Sequence, residues 1–192
     1  MIRPPQRDSR AVATGRANKG AGGAHESWVD LQHAAAKREG LLAHVEKNEP
    51  HSRIAGGRVL YSSAGVADYT GTLAAGTVAS HLFSSRRHLS PVDGVTLATE
   101  AKSTSAARLA RAEVKPKQAA HLDAVAAAGG LALLLVEFRG KSMPARYAVP
   151  WAEAPWVKLR TADSVGEDDL GRWAVPVGAS YLAMFVRNFD SA

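Results

Sequence analysis

The chain has 192 residues with 46% hydrophobic and 22% charged side chains, which is the composition of a globular protein with one well-filled core. Its longest apolar run, Leu131–Val136, is far shorter than the roughly 18 apolar residues of a membrane span. The sequence contains no cysteine, which excludes a disulfide scaffold, a thiol nucleophile and a cysteine zinc site. Met1–Arg16 lacks the apolar segment of a secretory signal, so we expect an intracellular protein.

Positive charge is concentrated in the first two-thirds of the chain. The formal net charge is +6, and residues 1–122 carry 17 Lys and Arg against 10 Asp and Glu, whereas residues 123–192 carry 7 against 8. A basic surface of this kind suits a polyanionic partner such as DNA. We therefore expect any such partner to bind residues of the first two-thirds.

The N-terminal segment predicts a basic arm followed by a helix. Residues 1–17 are rich in Arg, Pro and Ser without apolar periodicity, which predicts a flexible arm that either tracks phosphates or is inert. The remaining residues, 18–192, are expected to form a single domain. A helix is predicted from about Ala24 to Glu39, with Trp28, Leu31 and Ala35 on its apolar face and Glu26 in its first turn.

Short strand-like segments and one long loop come next. Leu41–Glu46 predicts a strand, Pro50–Gly57 a loop, and residues 67–73 a strand with a glycine inside it. Residues 74–93 contain the basic pair Arg86 and Arg87 but no clear periodicity, and we interpret about 75–93 as an insertion or long loop.

The second half of the chain has the clearest pattern. Gly94–Thr104 alternates as a strand, Pro116 suits the first position of a helix that ends at Gly129 and Gly130, and Leu131–Phe138 predicts a buried strand. A short strand at Tyr147–Pro150 and a mixed C-terminal segment follow. The packing anchors expected there are Trp156, Trp173, Tyr181, Met184 and Phe185. The order of elements predicts an α/β fold with a mixed central sheet flanked by helices.

One short string has the composition of a catalytic site. Glu100 and Lys102 are two apart on a predicted strand and so project from the same face. A carboxylate is a hard ligand for Mg²⁺, and an ammonium stabilises charge that develops on a phosphoryl group. A second carboxylate is needed, and Asp68 on the preceding strand is the best candidate. A solvated surface pair is the simpler interpretation of the two residues taken alone.

The surrounding pattern resembles the RecU-type Holliday junction resolvases of the PD-(D/E)xK nuclease superfamily. Asn18-Lys19-Gly20 followed by Glu26 resembles the family's opening motif, and His44–Pro50 resembles its strand that ends in Lys and Pro. Asp68–Gly71 is similar to its Asp-Tyr-x-Gly, and Gly94–Thr104 to its Gly-strand-Glu-Ala-Lys-x-Thr.

The similarity continues C-terminally. Gln118 with His121-Leu122 stands where the family's helix carries a Gln, and Gly129-Gly130 with the strand after it also corresponds. The resemblance covers most of residues 18–160.

The resemblance implies a restriction-endonuclease-like core and a set of roles. Asp68 and Glu100 would bind Mg²⁺ or Mn²⁺, Lys102 would stabilise the transition state, and Gln118 would support the metal site from its helix. Glu26 is a possible accessory residue, although a carboxylate that complements the helix dipole is the alternative we favour for it. The residues expected to contact DNA are Arg16, Lys19, Arg86, Arg87, Lys115 and Lys117.

The function implied is a homodimeric endonuclease that resolves four-way DNA junctions by paired symmetric nicks in the cytoplasm of a bacterial or phage-infected cell. Two alternatives stay open: a nuclease of the same superfamily that cuts another DNA structure, and a non-catalytic DNA-binding protein with this fold.

The sequence departs from the family at three places. Val66 stands where the family usually has a metal-site Thr, and it offers only its backbone carbonyl. About 17 residues separate Pro50 from Asp68, so the family's long stalk is absent or reduced. Asp68 and Glu100 are 32 residues apart, a longer gap than usual, and the basic insertion either takes over part of the stalk's contact with DNA or is a surface loop without such a role. Asp93 is a competing candidate for the first carboxylate.

Overall fold

The computed structural model describes residues 9–48, 51–55, 58–62, 67–74, 77–79, 94–140, 143–158 and 163–188. Its centre is a mixed sheet of five strands: β1 (Leu42–Lys47), β4 (Tyr69–Leu73), β6 (Thr96–Thr104), β8 (Leu131–Phe138) and β9 (Ala145–Pro150). They lie in the order β1-β4-β6-β8-β9, and β6 and β8 are parallel while their other neighbours are antiparallel. The predicted α/β fold with a mixed sheet is therefore confirmed.

The described residues also form three sheets of two strands each. β2 (His51–Ala55) pairs with β3 (Arg58–Ser62), β5 (Thr77–Ala79) with β11 (Val186–Asn188), and β7 (Arg108–Ala110) with β10 (Ser164–Gly166). Two sequence predictions change here. The loop expected over Pro50–Gly57 contains β2, and the long loop expected over residues 74–93 contains β5. β5 pairs with β11 near the other end of the chain, which local periodicity does not reveal, whereas β2 pairs with the next strand, β3, which the sequence prediction missed.

Two helices cover the faces of the central sheet. The connection between the parallel strands β6 and β8 contains α2 (Pro116–Ala127), whose Leu122 and Val125 are buried. Its predicted start at Pro116 is confirmed. So is its end, since Gly129 adopts a φ of 83°, a left-handed conformation that glycine tolerates best. The other face packs against α1 (Ser9–Arg38).

Helix α1 differs from its prediction at its start. It begins at Ser9, so residues 9–17 of the expected arm belong to a helix, and residues 1–8 lie outside the described part. Glu26 is consequently in the helix interior, and its interpretation as a first-turn residue that complements the helix dipole is wrong. The helix continues through the glycines at 20–23 because the segment is otherwise rich in Ala and Arg, which favour helix.

The buried face of α1 also differs from the predicted one. Leu31 is 68% exposed, whereas His25, Val29, His33 and Ala36 are buried. Each buried histidine has a hydrogen-bond partner on one ring nitrogen: His25 Nε2 donates to the Leu135 carbonyl oxygen at 3.3 Å, and His33 Nε2 bonds to the Tyr181 hydroxyl. Trp28 is half-buried and packs against the core as predicted, so the predicted face fails at Leu31 in particular.

The C-terminal segment packs as predicted. It contains α3 (Pro155–Lys158), α4 (Glu167–Leu170) and short 3-10 turns. Trp156, Trp173, Tyr181 and Phe185 are buried, and Met184 packs against the core on the α1 face. The tryptophans expected to be core residues are therefore core residues. No helix in the described ranges has the length and apolar character needed to cross a membrane.

Candidate active site

Asp68 and Glu100 come together on adjacent strands. The antiparallel register of β4 and β6 pairs Tyr69 with Thr99, and one step beyond it Asp68 stands opposite Glu100. The Asp68 backbone N–H donates to Glu100 Oε2 at 3.2 Å, and the Ala101 backbone N–H donates to Asp68 Oδ2 at 2.9 Å. Each carboxylate is thus bound to the main chain beside the other.

Lys102 projects from the same face of β6 as Glu100. Its Nζ lies 2.6 Å from Glu100 Oε1, and the side chains are 17% and 0% exposed, respectively. Alternation along β6 places both residues on the face covered by α2, together with the buried Ala98. The ammonium is therefore partly exposed above a fully buried carboxylate.

The electrostatics of Glu100 are unusual for a glutamate. Burial raises the pKa of Glu100, the Asp68 carboxylate raises it further, and Lys102 opposes both, so that the pKa moves from 4.5 to about 7. Two carboxylates held together resist ionising together, and a bound cation would relieve that repulsion. A raised carboxyl pKa in a pair of this kind is a feature of functional sites as well as of structural networks.

Gln118 connects the site to α2. Its Oε1 accepts the backbone N–H of Lys115 at 3.0 Å, which caps the first turn of the helix, and Lys102 Nζ lies 3.5 Å from the same oxygen. Gln118 is therefore next to Lys102. Its role in binding a metal stays a prediction. Lys115 and Lys117 are exposed at the start of this helix, beside the candidate site.

Glu26 takes part in a different contact. Its Oε2 lies 2.7 Å from Lys47 Nζ at the end of β1, and its backbone carbonyl accepts the Tyr69 hydroxyl at 3.4 Å. These contacts join α1 to β1 and β4 next to Asp68. Its accessory role in catalysis stays a prediction.

The side chains of the remaining predicted residues lie outside the described part of the structure. Arg16 and Lys19 belong to α1, whose side chains are described only from Gly23 onward. Val66, Arg86, Arg87 and Asp93 lie outside the described residues.

A second polar cluster, which the sequence analysis missed, lies on the opposite face of the sheet. Glu137 of β8 is 2% exposed and accepts hydrogen bonds from Ser103 Oγ at 3.0 Å and from Arg146 Nε at 3.0 Å. His25 Nδ1 lies 3.6 Å from the same carboxylate, and Arg146 lies 4.8 Å from the centre of the Trp28 ring. The available sequence signal was an acidic residue, Glu137, inside an otherwise apolar strand. The structure pairs it with Arg146 on the neighbouring strand.

Burial alone would raise the pKa of Glu137, but the adjacent His25 ring and the hydrogen bonds from Ser103 and Arg146 together outweigh it and lower the pKa to about 2. Glu137 is therefore a charged, fully partnered carboxylate that ties β6, β8 and β9 together. These contacts stabilise the packing of the three strands against α1.

The donor set on the α2 face is compatible with Mg²⁺. Among the described residues no group of three or more His, Cys, Asp or Glu side chains could hold a metal ion. Mg²⁺ is commonly held by one or two carboxylates, with waters and substrate phosphate oxygens completing its octahedron. Asp68 and Glu100 supply two such carboxylates.

No protein-family model matches this chain, and no curated protein sequence matches it.

Proposed function

We propose that this protein is a metal-dependent endodeoxyribonuclease of the PD-(D/E)xK type that resolves four-way DNA junctions. The observation that carries the proposal is the meeting of Asp68, Glu100 and Lys102 on adjacent strands. The ordered resemblance to RecU-type resolvases across residues 18–160 supports the choice of substrate.

Each site residue has a distinct chemical task in this proposal. Asp68 and Glu100 would hold Mg²⁺ or Mn²⁺, and such an ion activates water and neutralises charge on a scissile phosphate. Lys102 carries the positive charge that offsets the negative charge developing on the phosphoryl oxygens. Gln118 holds its oxygen towards Lys102 and so restrains the position of the ammonium.

The Lys102 ammonium neutralises the buried Glu100 carboxylate. Glu100 is fully buried, and a buried carboxylate without a partner charge is costly. Lys102 supplies that charge at 2.6 Å. A bound cation would take over this role and leave the ammonium available to the substrate phosphate.

A DNA substrate fits the charge distribution of the chain. The excess of Lys and Arg lies within residues 1–122, the part of the chain that contains the three site residues. The β2–β3 hairpin stands at the point in the chain where the resembled family has its stalk. Recognition through phosphates and branch shape predicts affinity that falls steeply with salt. Symmetric nicking requires two sites related by a two-fold axis, hence a homodimer.

The test is cleavage of a synthetic four-way junction with Mg²⁺ or with EDTA, beside flap, fork and linear duplex substrates. We expect paired nicks in the junction with Mg²⁺ only. Lys102→Ala should slow cleavage by about 10²- to 10³-fold while junction binding is retained. The matched control is Lys158→Ala, because Lys158 is exposed and paired with Glu153 on a different part of the surface.

The other outcomes separate the alternatives. Preferred cleavage of flaps or linear duplex would assign the protein to another nuclease of the superfamily. Junction binding without cleavage in any metal would assign it to the non-catalytic DNA-binding proteins. Full activity of Lys102→Ala would overturn the mechanism.

A further inference from the structure

A single peptide group links the Asn48 side chain to the Glu100 carboxylate. The carbonyl oxygen of Ala67 accepts a hydrogen bond from Asn48 Nδ2 at 2.8 Å. The N–H of the same peptide group belongs to Asp68 and donates to Glu100 Oε2 at 3.2 Å. The Ala67–Asp68 peptide group is therefore held by the Asn48 amide on one side and by the buried Glu100 carboxylate on the other.

Asn48 makes two further contacts around Asp68. Its backbone N–H donates to the Asp68 carbonyl oxygen at 2.7 Å, and its Nδ2 also donates to Thr70 Oγ1 at 3.3 Å. Both hydrogens of the side-chain amide are thus used, on residues that flank Asp68. Asn48 itself is half-buried.

Asp68 needs such contacts because of its place in the fold. The regular ladder between β1 and β4 ends at the pair Lys47 and Tyr69, so Asp68 lies one residue beyond it. The contacts with Glu100 and Ala101 restrain Asp68 from the β6 side, so a second restraint is needed from the β1 side. Asn48, the first residue after β1, supplies the restraint from the neighbouring strand.

We propose that Asn48 is a positioning residue that fixes the Asp68 peptide, and with it the geometry of the Asp68–Glu100 pair, for the metal-dependent chemistry. The inference rests on the proposed function, and it adds a residue that does not touch the substrate. The chemistry of the contact requires a neutral donor. An aspartate at this position would set a carboxylate oxygen against the Ala67 carbonyl and add a negative charge beside two others.

The experiment compares Asn48→Ala and Asn48→Asp with Thr70→Val. The threonine variant keeps the side-chain shape and removes only the second acceptor of Asn48, so it is the matched control. The measurements are the single-turnover cleavage rate at saturating junction, the dissociation constant for the junction, and the backbone amide signal of Asp68 in nitrogen-15 NMR spectra.

We expect both Asn48 variants to cleave about 10- to 100-fold more slowly, since misplacement of a reacting group by about 1 Å costs up to 10²-fold. Junction affinity should stay within about two-fold, because Asn48 faces the protein main chain. The Asp68 amide signal should move upfield and its hydrogen should exchange faster, as its bond to Glu100 loosens. Thr70→Val should leave rate and amide signal nearly unchanged.

Two results would overturn the proposal. One is an unchanged cleavage rate of the Asn48 variants together with an unchanged Asp68 amide signal. The other is slower cleavage only at temperatures at which the variant unfolds. Failure of the proposed function is distinguishable, because it would leave the wild-type protein without cleavage of any DNA. The Asp68 amide measurement would then still decide whether Asn48 fixes this peptide.

Discussion

Glu100 is fully buried, and its Oε1 lies 2.6 Å from the Lys102 ammonium two residues further along the same strand. Burial and the adjacent Asp68 carboxylate raise the pKa of Glu100 to about 7 despite this cation. Ionised Glu100 therefore lowers the free energy of unfolding near neutral pH, even though it is paired with Lys102. This loss of stability can be measured.

Glu100→Gln should change the pH dependence of stability in the metal-free protein. Because the folded-state pKa of about 7 lies above the ordinary 4.5, the wild type loses stability as pH rises through this window. Relative to wild type, Glu100→Gln should gain about 3 kcal/mol of unfolding free energy between pH 4.5 and pH 8. Urea denaturation with EDTA at both pH values measures it. A difference between the two proteins that does not vary with pH would contradict the assignment.

Glu137→Gln should have the opposite pH dependence. The pKa of Glu137 is lowered to about 2, so its charge stabilises the fold above pH 4.5, and this stabilisation is lost as pH falls towards 2. We expect Glu137→Gln to lose about 3 kcal/mol at neutral pH and less at pH 3.5, measured by urea denaturation.

Ser103→Ala is the control for Glu137→Gln. It removes one donor and leaves Arg146 in place, so it should cost about 1 kcal/mol. Equal losses in the two variants would show that charge is not what Glu137 contributes.

Asp68 and Asp93 can be separated by paired substitutions. Asp68→Asn should reduce cleavage by at least about 10²-fold, because it removes the carboxylate opposite Glu100, while Asp93→Asn should retain activity. Single-turnover cleavage of a four-way junction measures both. Loss of activity in Asp93→Asn alone would transfer the metal-ligand role to Asp93.

Gly71 is required by close packing of two strands. A Cβ at this position would lie 2.3 Å from the His44 carbonyl oxygen and 3.0 Å from the Val45 Cα. Gly71→Ala should therefore cost about 2 kcal/mol or more of unfolding free energy, measured by thermal or urea denaturation.

Gly23→Ala is the opposite case and serves as its control. A Cβ there meets nothing within 4 Å inside helix α1, so it should stabilise by about 0.5–1 kcal/mol. A stable Gly71→Ala variant would contradict the close approach of β1 and β4.

If Arg86 and Arg87 contact DNA phosphates, reversing their charge should change how junction affinity depends on salt. Reversing Arg86 and Arg87 to Glu should weaken junction binding about ten-fold or more, and the slope of log affinity against log salt should fall by about 2 if each contacts one phosphate. The matched control reverses Lys37 and Arg38, an adjacent basic pair at the end of α1. Fluorescence anisotropy at several salt concentrations measures both. Equal effects of the two reversals would exclude a specific contact by the insertion.

The sequence by itself determined the elements whose signals are local. Alternation identified β6, an uninterrupted apolar run identified β8, and Pro116 with Gly129 set the ends of α2. The two-residue spacing of Glu100 and Lys102 fixed their common face, because side-chain direction alternates in any strand. These predictions needed no knowledge of what the strands pair with.

Only the tertiary structure decided which distant residues meet. Asp68 stands opposite Glu100 because the register of β4 and β6 places it there, and Asn48 reaches the Asp68 peptide because β1 ends beside it. The burial of His25 and His33 on α1 likewise depends on hydrogen-bond partners that β8 and the C-terminal segment supply. Strand register and buried polar contacts are set by the packing of the whole chain, and a periodicity of two or of 3.6 residues carries no information about either.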